Sequence, residues 1–338
     1  MKHQLLGAAL SGVLAFGAIP ASAATLDVVK DKGFFTCGVT QGNPGFSNPD
    51  KEGNWTGLEA DYCRALSAAV LGDANAVKFR PTSPAERFVA LQSGEVDVLS
   101  RTTTWTMSRD TALGINFAGV IFYDGQALMV RRDLGVTSAL ELAGASVCTA
   151  SGTTTELNLA DFFRQHDMPY EIVAFEKPDE VIAAYDAGRC DVHTSDASGL
   201  ASDRLKLTNP GDHIILPEVI SKEPLGPAVR QGDDQWFNIA KWTLNALINA
   251  EELGITRDNA DNLTSSEDPA VRRLLGVEGS YGDALGLDPE WVLRAIKSVG
   301  NYGEIYRRHV GPQTPLDIPR GQNALWKDGG ILYAPPIR

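Results

Sequence analysis

The 338 residues exceed what one hydrophobic core ordinarily fills, so two compact units are expected. With 43% hydrophobic and 22% charged residues, the composition is that of a soluble globular protein. A formal charge of −13 and a pI near 4.9 lack the basic excess of nucleic-acid binders, which excludes a phosphate backbone as the expected partner.

Lys2 precedes an uncharged, largely apolar run from Leu5 to Ile19, and Ala21-Ser22-Ala23 has the small-x-small pattern that signal peptidase cleaves after. Residues 1–23 therefore read as a signal peptide cut after Ala23. The run is short for a bilayer span of about 20 residues, and no lipid-anchor cysteine stands at the cut. An exported, soluble mature chain is expected, with no later membrane span.

Four cysteines in an exported chain permit two disulfides in three pairings. Cys37 lies in a predicted first strand, Phe34 to Val39, and Cys63 in the helix that follows. Cys148 and Cys190 lie on two predicted strands of a later unit. The pairs Cys37 with Cys63 and Cys148 with Cys190 are favoured because each closes within one unit. The alternative is four buried thiols packing as small hydrophobes.

Thr56-Gly-Leu-Glu59 and Ser83-Pro-Ala-Glu86 fit capping boxes, the second with Pro84 at the first helical position. Leu58, Tyr62, Leu66 and Ala69 recur at helical spacing, and Phe88 and Leu91 continue the second helix up to Gly94. Val96 to Leu99 follows as a strand, which gives the β-α-β alternation of a parallel sheet. That strand runs into Ser100, Thr102, Thr103, Thr104 and Thr106, with Arg109 about a turn beyond. A guanidinium presents a planar fork of donors to a carboxylate, and hydroxyls and backbone N–H groups fill the remaining lone pairs. The stretch reads as a clamp for a small carboxylate; an ordinary strand and turn with a solvated Arg109 is the plainer reading.

The pattern restarts at Gln126. Ala127 to Val130 and Ser146 to Thr149 are predicted strands with a short helix, Ser138 to Leu142, between them. Thr153-Thr-Thr-Glu156 fits another capping box, and a helix N-terminus there places Thr153 and Thr154 where an anion is favoured, although capping alone also accounts for them. Val181 to Tyr185 reads as a helix closed by Gly188, Cys190 to His193 as a strand, and Asp196 follows where ligands of open α/β sheets gather. Beyond about Ser221 the chain returns to the first unit, with a strand near Ala228 and a long helix from Asp233 to Leu253. Asp268-Pro269 and Asp288-Pro289 each open a further helix, and a Pro- and Gly-rich tail from Gly311 wraps a surface.

Catalytic signatures are missing. The histidines at positions 3, 166, 193, 213 and 309 lack metal-ligand spacing, and no nucleophile elbow, Walker loop or Gly-x-Gly-x-x-Gly is present. No metal or cofactor is expected, and His193 reads as a packed residue.

Five stretches, in this order, carry a resemblance: Gly53-Asn-Trp-Thr-Gly-Leu-Glu-Ala-Asp-Tyr62, Arg87-Phe-Val-Ala-Leu-Gln-Ser-Gly-Glu-Val-Asp-Val98, Thr102-Thr-Thr-Trp-Thr-Met-Ser-Arg109, Ser151-Gly-Thr-Thr154 and Gly188-Arg-Cys-Asp-Val192. From about Gly33 to Asn262 the chain resembles the polar amino-acid family of periplasmic substrate-binding proteins, the soluble receptors of ABC importers. The tail segments Tyr302-Gly-Glu-Ile-Tyr306 and Gly321-Gln-Asn-Ala-Leu-Trp326 resemble its general L-amino-acid branch.

The resemblance implies an α/β, two-lobed periplasmic binding protein of type II with a hinge of two crossover strands. Residues 24–125 would form the first segment of lobe 1, residues 126–226 lobe 2, and residues 227–338 the rest of lobe 1 with a C-terminal extension. By position, Arg109 holds the ligand α-carboxylate with help from Thr104 and the backbone at Thr154, while Asp196 accepts from the α-ammonium with Thr102 close by. Asn43, Phe46 and Arg101 line a roomy polar pocket that admits several side chains, acidic ones included; Arg101 as a purely structural ion pair is the alternative. The implied partners are a free L-amino acid and the membrane permease of an ABC importer, with the receptor a monomer and not an enzyme. A periplasmic cyclohexadienyl or arogenate dehydratase on the same fold is the alternative, with Glu156 or Glu176 as its general acid. A sensor module is disfavoured because no membrane span or signalling domain follows.

Overall fold

A computed structural model describes residues 24–338; the expected signal peptide and its cut lie outside the described residues. After α1 (Thr25–Lys32) come β1 (Phe35–Val39), a small hairpin of β2 (Asn48–Pro49) and β3 (Trp55–Thr56), α2 (Leu58–Leu71) and β4 (Val77–Pro81). Then follow α3 (Arg87–Gln92), β5 (Val98–Leu99), α4 (Met107–Ala112) and β6 (Ile115–Phe117). With β14 (Ala228–Arg230) these strands form a five-stranded sheet in the order β4-β1-β5-β14-β6.

The chain leaves through β7 (Phe122–Asp124) and builds a second sheet. Its strands are β8 (Gln126–Arg131), β9 (Ser146–Ala150), β10 (Glu171–Phe175), β11 (Val192–Asp196) and β12 (His213–Ile215), ordered β10-β9-β11-β8-β12. Helices α5 (Thr154–Gln165), α6 (Pro178–Asp186) and α7 (Ala197–Arg204) pack on it. The return runs through β13 (Glu223–Leu225), which pairs antiparallel with β7 and places Glu223 opposite Asp124. These two strands are the crossovers of a two-lobed type II fold.

Both sheets are mixed, not purely parallel as the β-α-β alternation suggests. β14 runs antiparallel to β5 and β6, and β8 antiparallel to β11 and β12. The reason is the hinge: β14 arrives from the other sheet rather than over a helix on the same face, so no parallel crossover is imposed on it.

The long helix is α8 (Asp234–Glu252), capped by the Asp233 carboxylate, which accepts from Trp236 N at 2.9 Å. It buries Trp236, Ala240, Leu244, Leu247 and Ile248 in the first core. The chain then adds α9 (Ala260–Leu263), α10 (Pro269–Leu274), α11 (Trp291–Val299) and α12 (Tyr302–His309) to that core, and the tail seals it with Leu316, Leu325 and Leu332. Cys37 is bonded to Cys63 and Cys148 to Cys190, at Cα separations of 6.4 and 5.7 Å. No helix of the described residues is long and apolar enough to cross a membrane.

Two capping expectations differ in outcome. Ser83 and Glu86 exchange reciprocal bonds of 3.1 and 3.3 Å. Thr56, by contrast, is not a cap. α2 starts after Gly57, whose φ of 128° and near-contact with Phe46 leave no space for a side chain, and Glu59 turns inward.

Candidate functional site

The crevice between the sheets encloses about 100 Å³, close to the size of one small metabolite. Its walls come from both sides. The first side supplies Arg87, Arg101, Thr102 and Thr104; the second supplies Thr153, Thr154, Ser195 and Asp196, and the loop at Gln41 to Asn43 roofs it.

Thr102 sits at the turn after β5 with φ of +38°, a conformation uncommon for a residue with a branched side chain. It is held there by Glu59, which accepts from the Thr102 N–H and, at 3.3 Å, from Ser47 Oγ. Burial pushes the Glu59 carboxyl up to about 7 against those bonds and the nearby Arg101 charge. Arg101 is itself buried, donating from Nε to Thr82 O at 3.1 Å while its side chain lines the crevice. Burial lowers its pKa to about 10, with Glu59 opposing. Arg101 thus both braces the fold and faces the crevice.

Arg109 is placed by α4, where Thr106 Oγ1 accepts from its N–H at 3.3 Å. Its Nη1 donates to Thr104 O at 2.9 Å and its guanidinium lies 5.2 Å from the centre of the Phe88 ring. Its guanidinium is buried beside Thr104, next to the residues that line the enclosed volume and not among them. Burial lowers its pKa, with Glu223 and Asp196 pulling the other way.

Glu223, fully buried on β13, joins the two sides. It accepts from Thr104 Oγ1, from Thr154 Oγ1 at 2.9 Å, from Asn158 Nδ2 at 2.8 Å and from Ser221 Oγ at 2.6 Å. This bears on how Thr104 meets the crevice. A hydroxyl that donates to Glu223 offers the crevice only lone pairs, which suit an ammonium; the backbone N–H groups at Thr104 and Thr154 are the donors suited to a carboxylate.

Asp196 ends β11 and lines the opposite wall. Burial pushes its carboxyl well above the usual range, and the negative charges of Asp124 and Glu223 add to this more than Arg87 and Arg109 subtract. Asp124 is also pushed up, to about 6, chiefly by burial, although Ser198 and the Gly125 N–H donate to it.

Thr153 caps α5, its Oγ1 accepting from Glu156 N at 3.2 Å. Asn43 lies in the roof with Oδ1 buried and without a partner. Phe46 differs from expectation: it packs edge-on against Phe122 at 5.2 Å, fully buried in the first core, because the turn Asn43 to Ser47 points it away from the crevice. His193 lines the crevice floor, its Nε2 bound to Asp203 Oδ2 at 2.9 Å.

Sequence reasoning missed Arg87, Glu223, Asp124 and Glu59. Arg87 is 2% exposed, lines the crevice, leaves Nε without a partner and reaches Gly152 O on the other side at 3.5 Å. Burial first, then Arg101 and Arg109, hold its pKa well below the ordinary value. The signal was present: Arg87 shares the inward face of α3 with Ala90 and Leu91, at spacings of three and four. Neither dehydratase candidate reaches the crevice. Glu156 accepts from Gly152 N at 3.0 Å in the first turn of α5, and Glu176 is exposed on the surface.

Two lobes, two crossover strands and a polar crevice carrying opposite charges on its two walls define a two-lobed α/β solute-binding protein. The profile of the bacterial extracellular solute-binding proteins, family 3, matches residues 35–258, and the chain belongs to that family. It is 60% identical, over the full length of both, to the general L-amino acid-binding periplasmic protein AapJ of Rhizobium johnstonii. It is 49% identical to the glutamate/glutamine/aspartate/asparagine-binding protein BztA of Rhodobacter capsulatus, with 100% of this chain and 99% of that one covered. A solved structure of a Brucella ovis periplasmic binding protein with glutathione bound superposes with a TM-score of 0.92 at 55% identity, covering 94% of this chain and 100% of that one.

Proposed function

We propose that this protein is a periplasmic receptor that traps free L-amino acids of several kinds between its lobes and presents them to the permease of an ABC importer. One observation carries the reading: the buried guanidinium groups of Arg87 and Arg101 lie on one wall of the crevice and the carboxyl of Asp196 on the other. A zwitterion offers one anion and one cation, and the crevice offers the matching pair. Relatives named for binding L-amino acids, or glutamate, glutamine, aspartate and asparagine, support the same class.

In this reading Arg109 and the N–H groups at Thr104 and Thr154 take the α-carboxylate, with the α5 N-terminus at Thr153 adding favourable potential. Asp196 and the lone pairs of Thr102 and Thr104 take the α-ammonium. Each charge-assisted bond contributes about 1.5–3 kcal/mol, so four or five of them outweigh the cost of ordering the ligand. Closure follows from contact with both lobes at once. Residues 24–125 and 227–338 form the lobe bearing Arg109, residues 126–226 the lobe bearing Asp196, and the receptor acts as a monomer after removal of residues 1–23.

The test is calorimetry and thermal shift of the mature protein against the common L-amino acids, with glutathione included because its γ-glutamyl end presents the same zwitterion. Reversible binding is expected, with a stability gain of about 2.7 kcal/mol at a hundredfold excess over Kd. Arogenate and prephenate are expected to be recovered unchanged; conversion of either, or no binding across the panel, overturns the proposal.

Arg101 and Asn43 both line the crevice, and the Arg101 guanidinium gives that part of it a positive, polar character. Arg101→Ala is expected to weaken glutamate by about tenfold or more, through loss of a charge-assisted bond, while leaving leucine within about threefold. Equal losses for the two ligands would assign Arg101 to bracing alone.

A further inference from the structure

The roof loop Thr40 to Ser47 belongs to the first lobe and is gripped from two directions. Behind it stands the C-terminal extension. Gly45, at φ +84°, lies so close to Leu316, Val310 and His309 O that a Cβ there would come within 2.2 Å of Leu316 Cδ1. The extension is pinned in turn to α2: His309 Nε2 meets Asp61 Oδ2 at 2.6 Å and Arg308 Nη2 meets it at 2.5 Å. In front stands α7 of the other lobe. Ser202, fully buried, donates to Pro44 O at 2.6 Å, and Lys206 Nζ donates to Gly42 O at 2.7 Å and to Asp179 Oδ1 at 3.3 Å. Neither Ser202 nor Lys206 lines the crevice.

We infer that Ser202 and Lys206 are positioning residues that latch the roof loop across the crevice, and that the C-terminal extension pre-sets this loop for them. The inference rests on the receptor reading above. Two hydrogen bonds that cross between lobes exist only while the lobes are together, so they act on the closed state alone. The occupant's dwell time is then set partly by groups that never touch it, and equally for every occupant.

The experiment is stopped-flow binding of L-glutamate and L-leucine to the full mature chain and to Ser202→Ala/Lys206→Met. The double variant is expected to release both amino acids roughly tenfold faster. Association rates, the order of preference and the melting temperature without amino acid are expected to stay as in the native protein. Lys206→Arg, which keeps a donor, is expected to restore most of the slow release. Leu316→Ala is expected to speed release in the native background but to add nothing in the double variant, because the extension acts through the latch. Unchanged release in the double variant, with native binding intact, overturns the latch alone. Additive effects of Leu316→Ala overturn the role of the extension. A native chain that binds neither amino acid overturns the receptor reading and the latch with it.

Discussion

Asp196→Asn is expected to weaken amino-acid binding by about a hundredfold and to flatten its dependence on pH. The asparagine keeps the size of the side chain but removes the charge proposed to meet the ammonium, a loss of about 2–4 kcal/mol for a desolvated, charge-assisted contact. In the ligand-free protein the Asp196 carboxyl is held well above its ordinary range, first by burial and then by Asp124 and Glu223. An arriving ammonium stabilises the ionised form and lowers that pKa, so binding expels a proton wherever the free carboxyl is protonated. The sign follows: affinity is highest above the free-state pKa and falls by up to about tenfold per pH unit below it. Asp124, pushed up to about 6 chiefly by burial, takes up a proton of its own and adds to the pH dependence. Calorimetry between pH 5 and 8, in two buffers of different ionisation enthalpy, measures the proton release directly. Native affinity and native proton release in Asp196→Asn would remove the carboxylate from the site.

Arg109→Met is expected to lose about two to three orders of magnitude in affinity for every amino acid tested. Two effects combine: the guanidinium proposed to meet the α-carboxylate disappears, and Thr104 O loses the donor that fixes it at 2.9 Å. Arg109→Lys, which keeps the charge but not the planar fork, is expected to recover only part of the loss. The readout that separates ligand contact from general bracing is L-alanine against L-alaninamide, which lacks the carboxylate. The native protein is expected to prefer alanine strongly, and Arg109→Met to lose most of that preference. A preference that survives intact would confine Arg109 to holding the turn at Thr104.

How far the sequence anticipates this arrangement depends on the length of each signal. Long periodic segments such as α2 and α8, and the Ser83–Glu86 cap, were legible because several residues agree on one face or one end. The hinge strands β7 and β13 are three residues each and carry no periodicity of their own; only the family resemblance implied them. That brevity also explains the expectation of parallel sheets. In the site, the threonine-rich turn ending at Arg109 stands out because polar residues interrupt an apolar run. Glu223 does not, because its partners Thr104, Thr154 and Asn158 are 65 to 119 residues away in the chain. Phe46 misled for the opposite reason: its nearness to Asn43 in sequence suggested a shared pocket, and a tight turn separates them.

The interior place of β14 bears on biogenesis. The second sheet is finished by residue 215, whereas the first lacks a strand between β5 and β6 until residues 228–230 arrive. A chain emerging from its N-terminus in an export channel therefore completes its middle before its beginning. Until the last third of the polypeptide has been delivered, β5 and β6 have no strand between them and their facing edges stay unpaired.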